Sequence, residues 1–268
     1  MRSTVCRANS NITQYLYIDG AYLSFLVRSF QTAYKLDFPH VPRYQLRIPH
    51  DRAYYYDSIP AKKKTQSDAE YEELRNEKLN HFEQISRLDG FFWRPGKSKY
   101  DPRQKKLTQK GVDVALATDL ISHAFKGTAQ KITVLAGDYD FLPALQAVSD
   151  LGVKINLLCS KNSVAEELFD VVDKVQFIDE QLLESWFTNH LTKPSWKPRA
   201  ISVGNNAIPE RTEKIGMFEE QPIFLKRENN LFSIYLNLSG KKVQLFQHED
   251  LDVLKHYVKV KRPTLNFY

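Results

Sequence analysis

Short, mainly apolar runs alternate with amphipathic stretches over roughly the first 190 residues of the chain. The runs are 15–18 (YLYI), the aromatic 52–57 (RAYYYD), 90–94 (GFFWR), 132–135 (ITVL), 152–158 (GVKINLL) and 175–178 (VQFI). The run 132–135 has no polar break and is followed by turn chemistry, which predicts a strand buried on both faces of a parallel sheet, and the other runs predict further strands. Between them the apolar period lengthens to that of a helix. Residues 21–34 place Leu23, Leu26, Val27 and Phe30 on one face, and a long helix over 67–88 carries Tyr71, Leu74, Phe82, Ile85 and Leu88. Residues 112–126 predict a helix with Val114, Ala117, Ile121 and Ala124 or Phe125 inward. After the 132–135 strand, Gly137-Asp138-Tyr139-Asp140 turns the chain, and a helix starts with Asp140 as its N-cap and Pro143 in its first turn. Ser163 and Glu166 have the spacing of a capping box for a further short helix, and 180–190 close the series. Strand–helix alternation of this kind calls for an α/β fold: a mostly parallel, Rossmann-like sheet with helices on both faces.

The pattern changes beyond residue 190. Residues 1–13 read as a flexible leader, 14–190 as the α/β domain, 191–220 as a linker and 221–268 as a small β-rich module. In the module three β-type runs, 222–227, 231–238 and 241–247, are separated by Asn229-Asn230 and Ser239-Gly240, both hairpin signals. A last β-rich run falls at 257–261. Nothing in the module names a chemistry, and a protein partner or a second copy of the chain is one use for it.

Composition narrows the class. At 268 residues with 42% hydrophobic content, the chain can bury a proper core. No apolar run reaches the ~18 residues of a membrane helix. Two cysteines, Cys6 and Cys159, make neither a disulfide framework nor a zinc site. A cytoplasmic location fits these features. The net charge of +6 gains meaning where it is concentrated. Between Arg94 and Lys110 stand seven basic residues, including Lys97, Lys99, Arg103, Lys105, Lys106 and Lys110, against the single acid Asp101. The stretch reads as a basic loop suited to an anionic polymer.

Four acids stand out by position. Asp19 ends the first strand, Asp113 lies in the first turn of a helix, and Asp138 and Asp140 follow the 132–135 strand. In open α/β sheets, ligands collect at the carboxyl ends of the strands. Unpaired carboxylates gathered there repel one another, and a hard divalent cation removes that cost. Mg²⁺ or Mn²⁺ is the natural choice, since no His or Cys set favours a softer metal. Asp119 lies six residues from Asp113, roughly 120° away around a helix, which predicts a structural role.

YIDGAYL (17–23), KGVDVALATDL (110–120), GDYDFLPAL (137–145), LGVKINLL (151–158) and SVAEELFDVVDKVQFI (163–178) resemble, in that order, the NYN domain, in its LabA-like branch, of the PIN-like nuclease superfamily. The resemblance covers about 14–190. It implies a metal-dependent nuclease, usually acting on RNA rather than DNA, that leaves 5′-phosphate and 3′-hydroxyl ends. It matches Asp19, Asp113, Asp138 and Asp140 to the catalytic, metal-binding acids and Asp119 to a second acid on the same helix. Tyr22 stands where many NYN domains carry Asn, leaving one polar group of that pattern without a counterpart. The basic residues leading into Asp113 are placed to hold a single strand, and Trp93, Tyr100 or Tyr139 to stack a base. Two other readings remain: a regulatory protein that binds RNA or nucleotide without cutting, and a small-molecule phosphohydrolase. Against the latter, Asp19 is followed by Gly-Ala rather than by a second acid two residues on.

Overall fold

The computed structural model describes residues 12–36, 48–59, 61–62, 65–101, 106–188, 197–204, 208–238 and 242–268, with only the backbone course given for 97–101, 106–110 and 186–188. They divide into two compact units. The first runs through Asp179 except for a stretch beginning at Arg28, which joins the second together with everything from Glu180 onward.

The first unit opens with β1 (Gln14–Asp19) and α1 (Gly20–Ala33), followed by β2 (Arg52–Ile59) and α2 (Asp68–Ser86). Ser67 and Glu70 form a reciprocal capping box at the start of α2. Then come β3 (Phe91–Asp101), β4 (Lys106–Lys110), α3 (Val112–Phe125), β5 (Lys131–Leu135), α4 (Leu142–Asp150), β6 (Lys154–Cys159) and β7 (Lys174–Phe177). The strands form one sheet in the order β4-β3-β2-β1-β5-β6-β7. Every neighbouring pair is parallel except β3 and β4, which form an antiparallel hairpin at the edge. The chain therefore winds outward from β1 through β2 and β3, then returns to β5 on the other flank of β1. That reversal opens a crevice at the carboxyl ends of β1 and β5, the position where ligands bind in open α/β sheets.

The core explains why these runs became strands. Leu16, Tyr17 and Ile18 of β1, Ile132, Val134 and Leu135 of β5, and Ile155 and Leu157 of β6 are fully buried. Each such aliphatic side chain contributes about 1.5–3 kcal/mol relative to an exposed one. On α1 the expected Leu23, Leu26 and Val27 are all buried.

Several expectations change. The basic stretch is not a loop: Lys97 and Lys99 lie on β3, and Lys106 and Lys110 on β4. Arg103 and Lys105 lie outside the described residues. On α3 the inward face is Val112, Leu116, Leu120 and Ala124, whereas Val114 and Phe125 are largely exposed. This helix is apolar on two sides, so its period alone fits either face. On α2, His81, Phe82 and Ile85 are buried while Leu74 is exposed, so only the last turns of its stripe pack. The 163–166 capping box does not form. A 3₁₀ turn, Glu166–Val171, starts from Ala165 instead, without a side-chain cap.

The second unit contains α5 (Glu180–Thr188), β8 (Arg199–Gly204), β9 (Glu213–Phe218), β10 (Gln221–Glu228), β11 (Leu231–Leu238), β12 (Lys242–His248), α6 (Leu251–Lys261) and β13 (Asn266–Phe267). Its strands form an antiparallel sheet in the order β13-β9-β10-β11-β12-β8. Three differences from the sequence reading appear. The stretch 191–220 holds β8 and β9 rather than linker alone, and α5 belongs to this unit. The 257–261 run is not β: it ends α6, which Asp250 caps by accepting from the amides of Asp252 and Val253. Val253, Leu254, Tyr257 and Val258, at helical spacing, bury its inner face. Among the described residues no helix is long and apolar enough to cross a membrane.

Candidate functional site

Asp19 is the last residue of β1 and sits beside the crevice between β1 and β5. Its Oδ1 accepts the amides of Ala21 at 2.9 Å and Tyr22 at 3.0 Å, so it fixes the start of α1. Gly20 is required there by close approach: a Cβ would lie 2.4 Å from the Tyr55 hydroxyl and 2.8 Å from the Tyr56 carbonyl. Burial pushes the Asp19 carboxyl up to about 6, and the negative charges of Asp113 and Asp57 add to the rise, while the amides of Tyr22 and Ala21 oppose it.

Asp113 enters from the first turn of α3, two residues after Gly111, whose φ of 91° provides the left-handed corner between β4 and the helix. Burial raises its carboxyl as well, followed by the charges of Asp138 and Asp140. Asp138 and Asp140 follow β5. The cap of this turn is Asp138 rather than Asp140: its Oδ1 accepts the Asp140 amide at 3.0 Å, starting a 3₁₀ turn, Tyr139–Phe141, that leads into α4. Pro143 lies in the first turn of α4, as its sequence position predicts. The four acids thus come from three separated segments and influence one another: Asp113 acts on Asp19, and Asp138 and Asp140 act on Asp113.

Asp119 is engaged elsewhere. Its Oδ2 accepts the Tyr56 hydroxyl at 2.9 Å and Arg94 Nε at 3.1 Å, which ties α3 to β2 and β3.

Two residues carry more of the site than their sequence context suggested. Asp57, near the end of β2, is buried, its Oδ2 held by Lys78 Nζ at 2.8 Å and the Tyr55 hydroxyl at 3.2 Å, its Oδ1 by the Ser58 amide at 2.8 Å. The signal for it was present, since it is an acid at the carboxyl end of a buried strand, as Asp19 is. Tyr22 fills its place with a different function from that of an Asn. Its hydroxyl accepts the Ser160 amide at 2.9 Å and donates to the Ser163 carbonyl at 2.8 Å, binding the segment after β6 to the start of α1. Gly137 lies against both partners: a Cβ there would meet the Ser163 carbonyl at 2.3 Å and the Tyr22 ring at 2.6 Å. Tyr22, Ser163 and Gly137 together set the course of the backbone into Asp138.

Of the aromatics considered for stacking a base, Trp93 is committed elsewhere. Its ring stacks on Phe82 at 4.2 Å and 14°, and its Nε1 donates to the Asp57 carbonyl at 3.4 Å. Tyr139 is half-exposed beside Asp138 and Asp140. Of Tyr100, Lys97, Lys99, Lys106 and Lys110 only the backbone course is described.

The donor set suits a hard divalent cation in chemistry: carboxylate oxygens from three segments, with the carboxyls of Asp19 and Asp113 raised by burial first and by neighbouring carboxylates second. It is not a preassembled cage. Among the described residues, no three His, Cys, Asp or Glu side chains are grouped so as to hold a metal ion.

No curated protein matches the chain. Among solved structures, a protein of unknown function from Vibrio parahaemolyticus aligns at 16% identity over 67% of this chain and 97% of its own, with a TM-score of 0.44. A pyridine nucleotide-disulfide family oxidoreductase from Enterococcus faecalis aligns at 7% identity over 87% of this chain and 50% of its own, with a TM-score of 0.18. Neither likeness is close enough to argue from. The NYN domain model matches residues 15–183, from the first residues of β1 into α5. The chain belongs to the NYN domain family.

Proposed function

We propose that this protein hydrolyses phosphodiester bonds of RNA, single-stranded RNA above all, at the rim formed by Asp19, Asp113, Asp138 and Asp140, with Mg²⁺ or Mn²⁺ as cofactor. NYN domains fall within the PIN-like nuclease superfamily, which supplies the reaction class. What supports assigning it to these residues is their placement: Asp19 ends β1, Asp138 and Asp140 follow the neighbouring β5, and Asp113 lies in the first turn of α3, its charge adding to the burial that raises Asp19. Such repulsion is retained where a ligand relieves it. The four aspartates would hold the ion, and a bound divalent ion supplies an acidified water and charge to balance the phosphate. The chain's own part is positioning. Asp19 is fixed by two amides, Asp113 by the corner at Gly111, and Asp138 by its own turn. The β3–β4 hairpin, with Lys97, Lys99, Lys106 and Lys110 on its strands and Arg103 and Lys105 between them, is the natural hold on the phosphate backbone. The sequence Ala21-Tyr22-Leu23 favours the LabA-like branch.

A second reading, a protein that binds RNA without cutting it, is favoured by one observation: the acids are not grouped as metal ligands among the described residues. Incubation of an end-labelled single-stranded RNA with Mg²⁺, with and without EDTA, separates the two. EDTA-sensitive cleavage that Asp138→Asn abolishes supports the nuclease. Binding with no cleavage under any divalent ion supports the second reading.

A further inference from the structure

One face of the first unit's sheet carries a ladder of parallel rings. Tyr56 and Tyr17 stack at 6.3 Å and 9°, Tyr17 and Tyr54 at 5.5 Å and 26°, and Tyr54 and Phe92 at 5.4 Å and 25°. The first three rings are buried, but Phe92, the last, is 42% exposed. It lies on the part of β3 that β4 does not reach, since the hairpin pairing begins at Lys97. Among the described residues, no strand pairs with β3 beyond Phe92. The stack therefore ends at a half-exposed ring.

The surroundings of that end are cationic. The Arg52 guanidinium lies 5.7 Å from the centre of the Phe92 ring and 5.9 Å from that of Tyr15, and it has no carboxylate partner among the described residues. Arg94 lies 5.2 Å from the Tyr54 ring and shares Asp119 with Tyr56. His123 lies tilted against Tyr54, with ring centres 4.8 Å apart. An exposed aromatic face flanked by arginines is what single-stranded nucleic acids use: the ring takes a base of any identity, and the cations take the backbone.

Strand register connects this platform to the acids. Asp19 pairs with Tyr56 and Tyr56 with Arg94, while two residues earlier Tyr17 pairs with Tyr54 and Tyr54 with Phe92. Phe92 is thus two strands across and two residues back from Asp19, about 12 Å away by strand geometry. It is also on the strand that runs into the basic hairpin.

We propose that Phe92, with Arg52 and Arg94 beside it, is a stacking platform for an unpaired base of a single-stranded nucleic acid whose backbone continues to the aspartate rim. The inference rests on the proposed nuclease reading and makes it more specific: the protein selects unpaired strands because a base locked in a duplex cannot reach the end of the ladder. Phe92 contacts a base and takes no part in bond breaking.

The test is fluorescence anisotropy in EDTA, using a labelled single-stranded oligouridylate and a blunt RNA duplex of the same length. Four proteins are compared: wild type, Phe92→Ala, Phe92→Trp and Arg52→Glu. Phe92→Ala is expected to weaken single-strand binding by roughly 10-fold, within the range of base–aromatic stacking, and to leave duplex binding unchanged. Phe92→Trp is expected to bind the single strand at least as tightly as wild type. Arg52→Glu is expected to weaken binding and to flatten its salt dependence by about one phosphate contact. The platform is overturned if Phe92→Ala binds the single strand like wild type, loses both ligands equally, or is matched in its loss by Phe92→Trp. A wild-type protein that cuts single-stranded RNA while the Phe92 variants bind normally overturns the platform alone. A wild-type protein that neither binds nor cuts any RNA overturns the nuclease reading as well.

Discussion

Removing the Tyr22 hydroxyl is the most discriminating perturbation of the rim, because one oxygen ties the start of α1, next to Asp19, to the segment after β6 that packs against Gly137, next to Asp138. Tyr22→Phe keeps the ring against Gly137 and deletes the acceptor for the Ser160 amide, at 2.9 Å, the donor to the Ser163 carbonyl, at 2.8 Å, and the contact with the Ser163 hydroxyl, at 3.2 Å. A neutral hydrogen bond contributes about 1 kcal/mol net, and a buried group left without a partner costs about 1–3 kcal/mol. Both serines are partly open to solvent, so water recovers some of the loss. The expected cost is therefore roughly 2 kcal/mol, or about 4–8 °C in the midpoint of a unit of this size. The effect should also be local. The Ser160 amide should exchange with solvent faster, and RNA cleavage should fall about 10-fold as the backbone into Asp138 loosens, the loss expected of a group that positions another. The assay combines a thermal scan, amide exchange at Ser160 and single-turnover cleavage. An unchanged midpoint together with unchanged Ser160 exchange would refute the claim that Tyr22 holds this loop.

Other consequences can be measured together. Gly137→Ala places a methyl 2.3 Å from the Ser163 carbonyl, so the loop must shift. It should lower cleavage more than it lowers the melting midpoint, and equal loss in both would count against a positioning role. Lys78→Met leaves Asp57 buried beside Asp19 without its 2.8 Å ion pair. Denaturant unfolding should show a loss of about 3 kcal/mol, largely recovered when Asp57→Asn is added. In the second unit, the Glu180 carboxylate, 2.8 Å from His256 Nε2, holds the imidazole above its usual range, with burial opposing. A raised folded-state value means that this stabilisation is fully present below about pH 6.5 and is lost as pH rises through the raised value. The unfolding midpoint of that unit should fall over this window in wild type and more weakly in His256→Gln.

The parallel strands were legible because burial on both faces leaves an uninterrupted apolar run, as in Ile132 to Leu135. Asp19 and Asp138 stand out in the sequence because each falls at, or shortly after, the end of such a run. Side-chain facing on α3 was not legible: Val114, Ile121 and Phe125 are as apolar as Val112, Leu116 and Leu120, and only the sheet decides which set is covered. The helix α6 was obscured by Val258 and Val260, whose branching suggests a strand, although Asp250 and the spacing of Val253, Leu254, Tyr257 and Val258 carry the helical signal. The role of Tyr22 had no signal in its own neighbourhood. Its partners lie 138 and 141 residues away, and only the winding of the sheet brings them together.

The central claim is that the rim acids act as one cation-dependent site. It is tested most directly by cleavage of an end-labelled single-stranded RNA in Mg²⁺ by wild type, Asp19→Asn and Asp113→Asn, each checked for an intact fold by circular dichroism. The account predicts cleavage by wild type that EDTA abolishes, and a fall of at least about 100-fold in each variant, the loss expected when several kcal/mol of charge stabilisation disappear. Folded variants that cut at the wild-type rate would contradict it.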